Sequence, residues 1–556
     1  MSEIQGYEVL SQAFVSEGVD TMFALLGDAN MYWGAVMAQK HGVRVIHARH
    51  EHCACAMADG YARATGKVGV ATVTCGPGYT QIMTELATAA RGGIPMVVFA
   101  GDSPTNAAWY VQQLEQGPLA MATGAHFIPV RSIDRMLDNV REAFYVAQVE
   151  RRPVVLSVPM DLQKQTFPWS VDYSPSAQLL PTPQRNPADP ALVAQVAELI
   201  AGAQRPIILA GRGAIRSGAG EQLEALAQQC GALLATSLFA KGLFDHNPFG
   251  IGIAGAYASN FAREQFAECD LLIGVGAGLG YYTTEAGYLY PNARVVQIDT
   301  HPRGLYQGLR IADLHVRADA RAAAEAILNK LRERDFSSKG ARSAALAKQI
   351  AAVAAAPDNK EFLLAPDTVD PRALIQELDR VVPQDWDIVS GGAHFCGIAM
   401  THLHGRAAQR YHVINDFGAI GSGLAVAIGV AAARGDGKVL LIEGDGSLLM
   451  HIQELETVRR HGLRLLICAM NDGGYGAEVH KFRAQGIDPG EAVHGRGDLA
   501  AVARGFGLRG EKVTTLGRLS TLFDAHAGAQ SSELWDVHID ADLPSAAYRR
   551  IHFGET

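Results

Sequence analysis

The chain has 556 residues, a net charge of −9, 48% hydrophobic residues and 19% charged residues. This length is too great for one hydrophobic core and predicts two to four domains. The sequence has no run of Lys or Arg and no apolar stretch long enough to span a bilayer, which argues against nucleic-acid and membrane partners. No basic segment followed by an apolar one occurs near the N-terminus, so we expect a cytoplasmic protein that acts on a small molecule.

The seven cysteines are scattered, and most lie in apolar runs, where a reduced cysteine is a small core residue. Cys53 and Cys55 form a lone Cys-x-Cys, whereas zinc sites usually need two paired clusters at set spacings. We therefore predict no metal or redox function for these cysteines.

Residues 1–170 are predicted to form a first domain of alternating helices and strands. A helix is predicted at 7–16. Apolar runs rich in Val and Ile, bounded by Gly or Pro, predict strands at 21–26, 43–46, 68–74, 95–100 and 153–158. Strands separated by helices indicate a parallel sheet covered on both faces. Residues 166–186, rich in Pro, Ser and Gln, are predicted to be a linker.

The same pattern recurs in two later segments, at 187–340 and 365–545. The predicted elements of the central segment are helices at 191–202 and 220–231 and strands at 206–210, 271–275 and 294–298. An Ala-rich helix at 341–356 leads into a connector, and the last segment has predicted strands at 387–389, 439–442, 465–470 and 535–539. The predicted fold class is α/β, with three consecutive αβα domains, each built on a parallel sheet.

The strongest local signal is the turn Gly444-Asp445-Gly446-Ser447, between a predicted strand and a helical stretch at 452–461. A strand, a Gly-rich turn and a helix N-terminus offer backbone N–H groups to an anion. A second acidic turn, Asp472-Gly473-Gly474-Tyr475, follows the next strand, and its Asp lies 27 residues after Asp445. Two carboxylates and the Gly474 carbonyl are oxygen ligands of the kind that Mg²⁺ prefers, with phosphate oxygens and water completing an octahedron.

This pair of turns resembles the signature of thiamine diphosphate enzymes. Over nearly its whole length the chain resembles the superfamily of acetolactate synthase, pyruvate oxidase and pyruvate decarboxylase. The resemblance implies a pyrimidine-binding domain (1–170), a middle domain (187–340) and a domain that binds diphosphate and Mg²⁺ (365–545). It also implies thiamine diphosphate and Mg²⁺ as cofactors, with Asp445, Asp472 and Gly474 as metal ligands. The family usually has Asn at the position of Asp472, and Asp still offers an oxygen.

A His50-Glu51 pair, followed by Gly60-Tyr61-Ala62, resembles the first domain of the family. There, the matching Glu hydrogen-bonds the pyrimidine ring of the cofactor and so promotes removal of the thiazolium proton by the ring itself. The resemblance therefore implies a catalytic role for Glu51, which is acid–base tuning by a positioned carboxyl group. The alternative for Glu51 is a surface carboxylate at the start of a helix.

Three further segments resemble cofactor-binding parts of the family: 76–78, 391–395 and 415–421. In the last of these, Ile420 would be the apolar wedge that keeps the cofactor bent. The resemblance implies this set of cofactor-binding residues: Glu51, Gly76, Gly392, His394, Phe395, Gly418, Ile420, Gly444, Gly446, Ser447 and Tyr475. For His394, a ligand-facing role and a hydrogen-bonded structural role are equally compatible with the sequence.

The substrate side resembles the 2-oxo acid decarboxylases. The turn Gly27-Asp28-Ala29-Asn30 is similar to their turn with a catalytic Asp, and Tyr475-Gly476-Ala477-Glu478 is similar to their Tyr-Thr-Ile-Glu. A Gln112-Gln113 pair stands where they carry His-His, and Gln cannot exchange a proton near neutral pH. We expect Asp28 and Glu478 to be acid–base groups and Gln113, or its neighbour Gln112, to orient a substrate oxygen. The alternative for Glu478 is a surface ion pair.

In the central domain, relatives bind FAD, bind the ADP part of coenzyme A, or bind nothing. The landmarks are Gly211-Arg212-Gly213 and Asp299, each at the end of a predicted strand. The Gly-rich stretch 274–280 does not open a clear helix, as a dinucleotide fingerprint requires. Binding of FAD or of a CoA/ADP moiety therefore stays open, beside a glycine turn that only closes the sheet edge.

The resemblance implies a carboligase or lyase similar to acetolactate synthase. Such an enzyme makes or breaks a carbon–carbon bond next to a carbonyl in a 2-oxo acid or a 2-hydroxy-carbonyl compound. The alternatives are a 2-oxo acid decarboxylase, a 2-hydroxyacyl-CoA lyase, and a non-catalytic scaffold that retains the fold. A nicotinamide-dependent oxidoreductase is disfavoured because no dinucleotide loop follows the first strand. Since family sites lie between subunits, we expect a homodimer or a dimer of dimers.

Overall fold

The structure is a computed structural model that describes residues 4–167, 172–182, 184–301 and 311–555. Three six-stranded parallel sheets follow one another along the chain, each flanked by helices, and this confirms the predicted α/β class. Residues 168–171 and 183 of the predicted linker lie outside the described residues. Within the described ranges, none of the helices combines the length and apolar character needed to cross a membrane, and all seven cysteines are buried free thiols.

The N-terminal sheet carries the first group of elements. Its six strands are β2 (Thr21–Ala24), β3 (Arg44–His47), β4 (Gly69–Val73), β5 (Met96–Asp102), β6 (His126–Pro129) and β7 (Pro153–Pro159). Two short strands, β1 (Ile4–Gln5) and β8 (Thr166–Phe167), form a separate antiparallel pair. Its helices are α1 (Gly6–Ser16), α2 (Met31–Gln39), α3 (Glu51–Thr65), α4 (Pro77–Thr80), α5 (Met83–Gly92), α6 (Gln116–Thr123), α7 (Met136–Val149), α8 (Met160–Gln163) and α9 (Ser176–Leu179). The six parallel strands are arranged in the order β3-β2-β4-β5-β7-β6.

The central sheet has a different strand order. Its strands are β9 (Pro206–Ala210), β10 (Leu233–Thr236), β11 (Gly250–Ile253), β12 (Leu271–Val275), β13 (Arg294–Asp299) and β14 (Leu314–Arg317). Its helices, with the connector helix last, are α10 (Pro190–Gly202), α11 (Arg212–Ser217), α12 (Gly220–Cys230), α13 (Asn260–Ala267), α14 (Tyr281–Thr284), α15 (Ala320–Glu333) and α16 (Ala344–Ala355). The order β11-β10-β9-β12-β13-β14 is the strand arrangement of dinucleotide-binding sheets.

The C-terminal sheet repeats the order of the N-terminal one. Its strands are β15 (Asp387–Ser390), β16 (Tyr411–Val413), β17 (Val439–Gly444), β18 (Leu466–Asn471), β19 (Arg509–Val513) and β20 (Glu533–His538). Its helices are α17 (Pro371–Val381), α18 (His394–His402), α19 (Gly423–Arg434), α20 (Asp445–Met450), α21 (Glu454–Arg460), α22 (Gly476–Ala484), α23 (Leu499–Gly505), α24 (Leu519–Ala527) and α25 (Ala546–Phe553). The order β16-β15-β17-β18-β20-β19 matches the N-terminal order strand for strand.

Strand order decides where these sheets can bind a ligand. In an open parallel sheet, a crevice forms at the carboxyl ends of two neighbouring strands whose connections lead to opposite sides. That point lies between β2 and β4 in the N-terminal sheet and between β15 and β17 in the C-terminal sheet. These four strands are followed by Asp28, Gly76, Gly392 and Asp445, and other residues singled out by sequence, such as Glu51 and Asp472, follow the neighbouring strands β3 and β18.

Helices α3 and α19 join the N-terminal and C-terminal sheets into one hydrophobic core. A side chain at Gly60 would overlap the backbone carbonyl of Val426, and one at Gly429 would overlap that of Met57. The two helices therefore approach each other at backbone distance, which only glycine allows at these two positions.

We predict that Gly429→Ala destabilises the protein, because the new methyl group forces the α3 and α19 backbones apart. The expected loss is about 1–3 kcal/mol in the free energy of unfolding, measured by urea titration. The matched control is Gly202→Ala at the exposed end of α10, where a methyl group meets nothing within 4 Å. Equal stability of the two variants would contradict the close packing of α3 and α19.

Candidate active site

Two acidic side chains lie at the carboxyl ends of neighbouring strands of the C-terminal sheet. Asp445 follows β17 and is 1% exposed, and Asp472 follows β18. The backbone N–H of Gly473 donates to Asp445 at 3.0 Å, and that of Gly474 donates to Asp472 at 3.1 Å. Burial raises the pKa of both carboxyl groups, and the charge of Asp445 raises that of Asp472 further. Two such groups side by side favour a bound cation.

The chemistry of this donor set fits Mg²⁺. Gly474 is buried, and among the described residues no hydrogen bond reaches its carbonyl oxygen. The two carboxylates and this carbonyl leave octahedral positions unfilled. In the described part of the chain, no cluster of three or more His, Cys, Asp or Glu side chains could hold a metal by itself. The remaining ligands would have to be oxygens of a bound group or water.

The turn around Asp445 leaves no room for side chains at its glycines. A side chain at Gly444 would lie 3.1 Å from the ring of Phe395, and one at Gly446 would lie 2.9 Å from the ring of Tyr475. Ser447 accepts a hydrogen bond from the backbone N–H of Gly421 at 2.7 Å. The sequence-predicted residues of this turn therefore form one cluster.

The segment 415–421 lies beside the end of β15. A Cβ on Gly392 would stand 3.0 Å from the Ile414 carbonyl oxygen and 3.6 Å from that of Ala419. Gly418 has φ of +78°, in the left-handed region that favours glycine, and it is exposed. Ile420 is half-buried beside it. Gly392, Gly418 and Ile420 thus belong to the same edge as the acidic pair.

His394 has a hydrogen-bonded structural environment. Its Nε2 accepts a hydrogen bond from the Ser545 backbone N–H at 2.8 Å, and its ring lies 4.6 Å from His480 and 4.7 Å from Tyr548. Burial, together with His480, holds the pKa of His394 well below its usual range. The neutral ring with Nε2 as acceptor must carry its hydrogen on Nδ1, which leaves one donor for a ligand.

The N-terminal sheet contributes a second cluster. Glu51, the first residue of α3, is half-buried, and its Oε1 lies 3.1 Å from where a side chain on Gly78 would begin. Gly76 has φ of +59°, and a side chain there would overlap the Gln112 carbonyl. Glu51, Gly76 and Gln112 therefore meet at the end of β4.

Asp28 and the Gln pair lie at the open side of this second cluster. Asp28 is exposed in the turn after β2, and that turn is held by Asn30, which bonds the Gly27 N–H at 2.7 Å. Gln112 is half-buried and accepts a hydrogen bond from Cys75 at 3.5 Å, whereas Gln113 is exposed. Of the two glutamines, Gln112 is the one that contacts the glycine turn.

Glu478 lies on the first turn of α22 with its side chain 52% exposed, and it pairs with Lys481 at 3.3 Å. This is the geometry of a surface ion pair in the single chain. Among the described residues, no hydrogen bond or ion pair links Glu51 to Asp445 or to Asp472. The predicted site residues therefore form two clusters, one on each sheet.

The central sheet offers a further edge at its reversal point, between β9 and β12. The Gly213 N–H donates to the Gly276 carbonyl at 2.9 Å, so the two glycine turns pack directly on each other. Arg212 bonds the Gly92 carbonyl and Asp416 instead of lining this edge, and Asp299 accepts from the His301 N–H at 2.9 Å. Nucleotide binding at this edge stays a prediction.

The sequence analysis missed His494, whose Nε2 lies 3.9 Å from the Asp445 carboxylate and whose ring lies 5.5 Å from Tyr475. It also missed Arg496, whose charge lowers the pKa of Asp472 against the larger effect of burial. Both residues precede α23 in a stretch with several glycines, and no spacing pattern relates them to the acidic turns. Only the fold brings them together.

Comparison with known proteins agrees with this architecture. Three family models match the chain: the N-terminal TPP binding domain of thiamine pyrophosphate enzymes at residues 4–121, their central domain at 193–327, and their C-terminal TPP binding domain at 392–533. Thiamine pyrophosphate is another name for thiamine diphosphate. Each match covers most of one of the three sheets.

Relatives align over almost the whole chain. The acetolactate synthase large subunit of Parasynechococcus marenigrum is 30% identical over 552 residues, covering 96% of this chain and 88% of the relative. That of Haemophilus influenzae is 27% identical over 551 residues, covering 97% and 95%. A probable acetolactate synthase large subunit of Methanocaldococcus jannaschii is 27% identical over 564 residues, covering 97% and 92%. The chain belongs to the thiamine pyrophosphate enzyme family and is an enzyme of the acetolactate synthase type, which makes carbon–carbon bonds with this cofactor.

Proposed function

We propose that the protein, with Mg²⁺ beside thiamine diphosphate, joins or splits the carbon–carbon bond next to the carbonyl of a 2-oxo acid or a 2-hydroxy-carbonyl compound. The observation that carries the proposal is the pair formed by the buried Asp445 and the half-buried Asp472, beside a Gly474 carbonyl that no hydrogen bond from the described residues reaches. The names of the relatives support ligation as the outcome. When bound, thiamine diphosphate supplies a nucleophilic carbon that adds to a carbonyl and then stabilises the charge left on it.

Asp445, Asp472 and the Gly474 carbonyl would hold the Mg²⁺, whose other ligands would be diphosphate oxygens. Ser447, Gly446 and the Nδ1–H of His394 supply donors near that diphosphate. The half-buried Ile420 would be the apolar group that supports the cofactor rings. These residues bind and orient, and they exchange no proton in the reaction.

We predict that Asp472→Asn keeps activity, because the amide oxygen replaces one carboxylate oxygen as a ligand. Asp472→Ala removes the ligand, and the expected result is a loss of roughly 10-fold or more in Mg²⁺ affinity. Activity measured against Mg²⁺ concentration separates the two variants. If the Ala variant needs no more Mg²⁺ than the Asn variant, Asp472 is not a ligand of the metal.

Glu51 would hold the proton that the pyrimidine ring of the cofactor needs. Its carboxyl oxygen faces Gly78, and no hydrogen bond to another side chain of the described chain competes for it. Because Glu51 and Asp445 belong to separate clusters in one chain, we propose that each complete site takes Glu51 from one subunit and the metal from its partner. The protein would then be a homodimer or a dimer of dimers.

Mixing two inactive variants tests this arrangement. Glu51→Gln removes the proton-holding group and should lower turnover by about 100-fold or more, and Asp445→Ala removes a ligand on the metal side. When the two chains are co-expressed, half of the dimers combine one of each and carry one intact site. The expected recovery is roughly a quarter of the wild-type activity. No recovery, with mixed dimers verified by affinity tags, would mean that each site is built from a single chain.

On the substrate side, Asp28 and Gln112 or Gln113 would contact the reacting carbonyl from the N-terminal sheet, and Glu478 would contact it from the C-terminal sheet. Asp28 and Glu478 are exposed in the single chain. Assembly with a second copy would reduce that exposure.

For Glu478, we predict that Glu478→Gln lowers kcat by about 100-fold, because an acid–base group is lost. The matched control is Lys481→Met, which breaks the same ion pair but leaves the carboxyl group in place. If the pair matters only for the surface, both variants will keep wild-type turnover. That outcome would exclude Glu478 as an acid–base residue.

The reaction itself is tested by incubating the enzyme, thiamine diphosphate and Mg²⁺ with a panel of 2-oxo acids. CO₂ release together with a 2-hydroxy ketone product is the expected result. CO₂ release with a simple aldehyde would identify a decarboxylase instead. The proposed function is wrong if neither CO₂ nor a ligated product forms from these acids and no 2-hydroxy-carbonyl compound is cleaved.

A further inference from the structure

A hydrogen-bonded chain of three buried side chains connects α3, α5 and α19. The His52 Nε2 and the Ser422 hydroxyl lie 2.9 Å apart, and the same hydroxyl lies 3.0 Å from the Glu85 carboxyl group. His52 and Glu85 are themselves 3.8 Å apart. The three residues are at most 5% exposed. They come from positions 52, 85 and 422, so tertiary packing alone brings them together.

The Ser422 hydroxyl group makes unusual hydrogen bonds for a Ser at the start of a helix. It is the N-cap residue of α19, where a Ser side chain ordinarily accepts a hydrogen bond from the first turn of the helix. Its side chain makes no such capping bond. The hydroxyl group instead bonds Glu85 and His52, so the helix gives up a cap in favour of this chain.

The surroundings of this hydrogen-bonded chain favour the neutral forms of both end groups, and the Glu85 Oε1 has no hydrogen-bond partner among the described residues. Burial, with His451 and His50 nearby, lowers the pKa of His52 to about 3. Burial, with Asp59 nearby, raises the pKa of Glu85 well above its ordinary value. Ser422 has one donor, which goes to Glu85, so the bond to His52 requires a hydrogen on the His52 Nε2. Neutral partners avoid the cost of burying an uncompensated charge.

The hydrogen-bonded chain of His52, Ser422 and Glu85 adjoins both clusters of the candidate active site. His52 follows Glu51 in the first turn of α3. The His52 ring stacks on His451 with centroids 4.8 Å apart and planes 8° apart. His451 bonds the Gly421 carbonyl at 2.9 Å. Gly421 in turn donates to Ser447.

We propose that His52, Ser422 and Glu85 are positioning residues that fix the first turn of α3, and with it Glu51, against the Gly421 turn. This proposal rests on the proposed function, because it gives the three residues a role in that reaction. Glycine contacts hold the middle of α3 against α19, and the first turn adds these polar bonds to the core packing of Cys53 and Ala54. Small displacements of a catalytic group reduce turnover without reducing substrate binding.

The test compares Ser422→Ala with Ser422→Thr. The Ala variant loses both hydrogen bonds, and we expect kcat to fall roughly 10- to 100-fold while the substrate KM stays within about 2-fold of the wild-type value. The Thr variant keeps a hydroxyl group and should recover most of kcat. A second readout is the rate of hydrogen–deuterium exchange at the reactive carbon of bound thiamine diphosphate, which should slow in parallel.

The matched control is Ser532→Ala, a buried Ser whose hydroxyl bonds the Leu465 N–H and the Leu463 carbonyl at the other end of the C-terminal sheet. It should lower the free energy of unfolding by a similar amount and leave kcat and the exchange rate unchanged.

If Ser422→Ala does not fold, Glu85→Leu takes its place in the test, because it removes the hydrogen-bond acceptor and keeps a similar side-chain volume. A folded Ser422→Ala with wild-type kcat and exchange overturns the proposal. A wild-type enzyme without turnover on any substrate would instead refute the proposed function.

Discussion

Two neighbouring carboxylates, on the buried Asp445 and the half-buried Asp472, are the constraint on which the rest of this candidate site depends. They lie at the ends of neighbouring strands, and burial raises the pKa of both. The charge of Arg496 lowers the pKa of Asp472, but burial has the larger effect. A divalent cation held by the pair would remove the cost of ionising both groups and would attract an anionic diphosphate. The glycines of the adjoining turns then serve one purpose, which is to keep this crevice free of side chains.

The second constraint is the contact between α3 and α19. Gly60 and Gly429 allow the two backbones to approach, and the resulting core runs through both the N-terminal and the C-terminal sheets. The helix that begins with Glu51 is therefore fixed relative to the sheet that holds the acidic pair. Because both sheets have the same strand order, each presents its crevice at the equivalent strand ends. The fold thus offers two half-sites of different chemistry on one rigid frame.

Most interior strands could be predicted from the sequence, whereas β3 alone was predicted among the edge strands of the three described sheets. Central strands such as β9 and β12 are continuous apolar runs, and their predicted bounds match the structure. β14 and β19 are edge strands with exposed or charged residues, and β11 alternates with glycine, so none shows the apolar pattern of a buried strand. β10, an interior strand, was also missed.

In the candidate site, residues in local sequence patterns could be predicted, whereas contacts that depend on tertiary packing could not. Asp445 and Asp472 could be predicted as a pair because each lies in a Gly-rich turn after an apolar strand, which is a local pattern. Gln112, not Gln113, contacts the Gly76 turn, and the choice between neighbours depends on a loop conformation that sequence does not specify. The bond between His52 and Ser422 joins residues 370 positions apart, and each is an ordinary residue in its local segment. Such a bond cannot be predicted from the sequence, because only the packing of the two sheets brings its partners together.

The most direct test of the central claim is a calorimetric titration of the wild-type protein with thiamine diphosphate, with Mg²⁺ and again with EDTA. If the acidic pair binds the metal that bridges to the diphosphate, binding will be tight with Mg²⁺ and lost or greatly weakened without it. Asp445→Ala, which removes a metal ligand, should then resemble the EDTA condition. Equal affinity with Mg²⁺ and with EDTA would contradict the account, because the two carboxylates would then have no part in holding the cofactor.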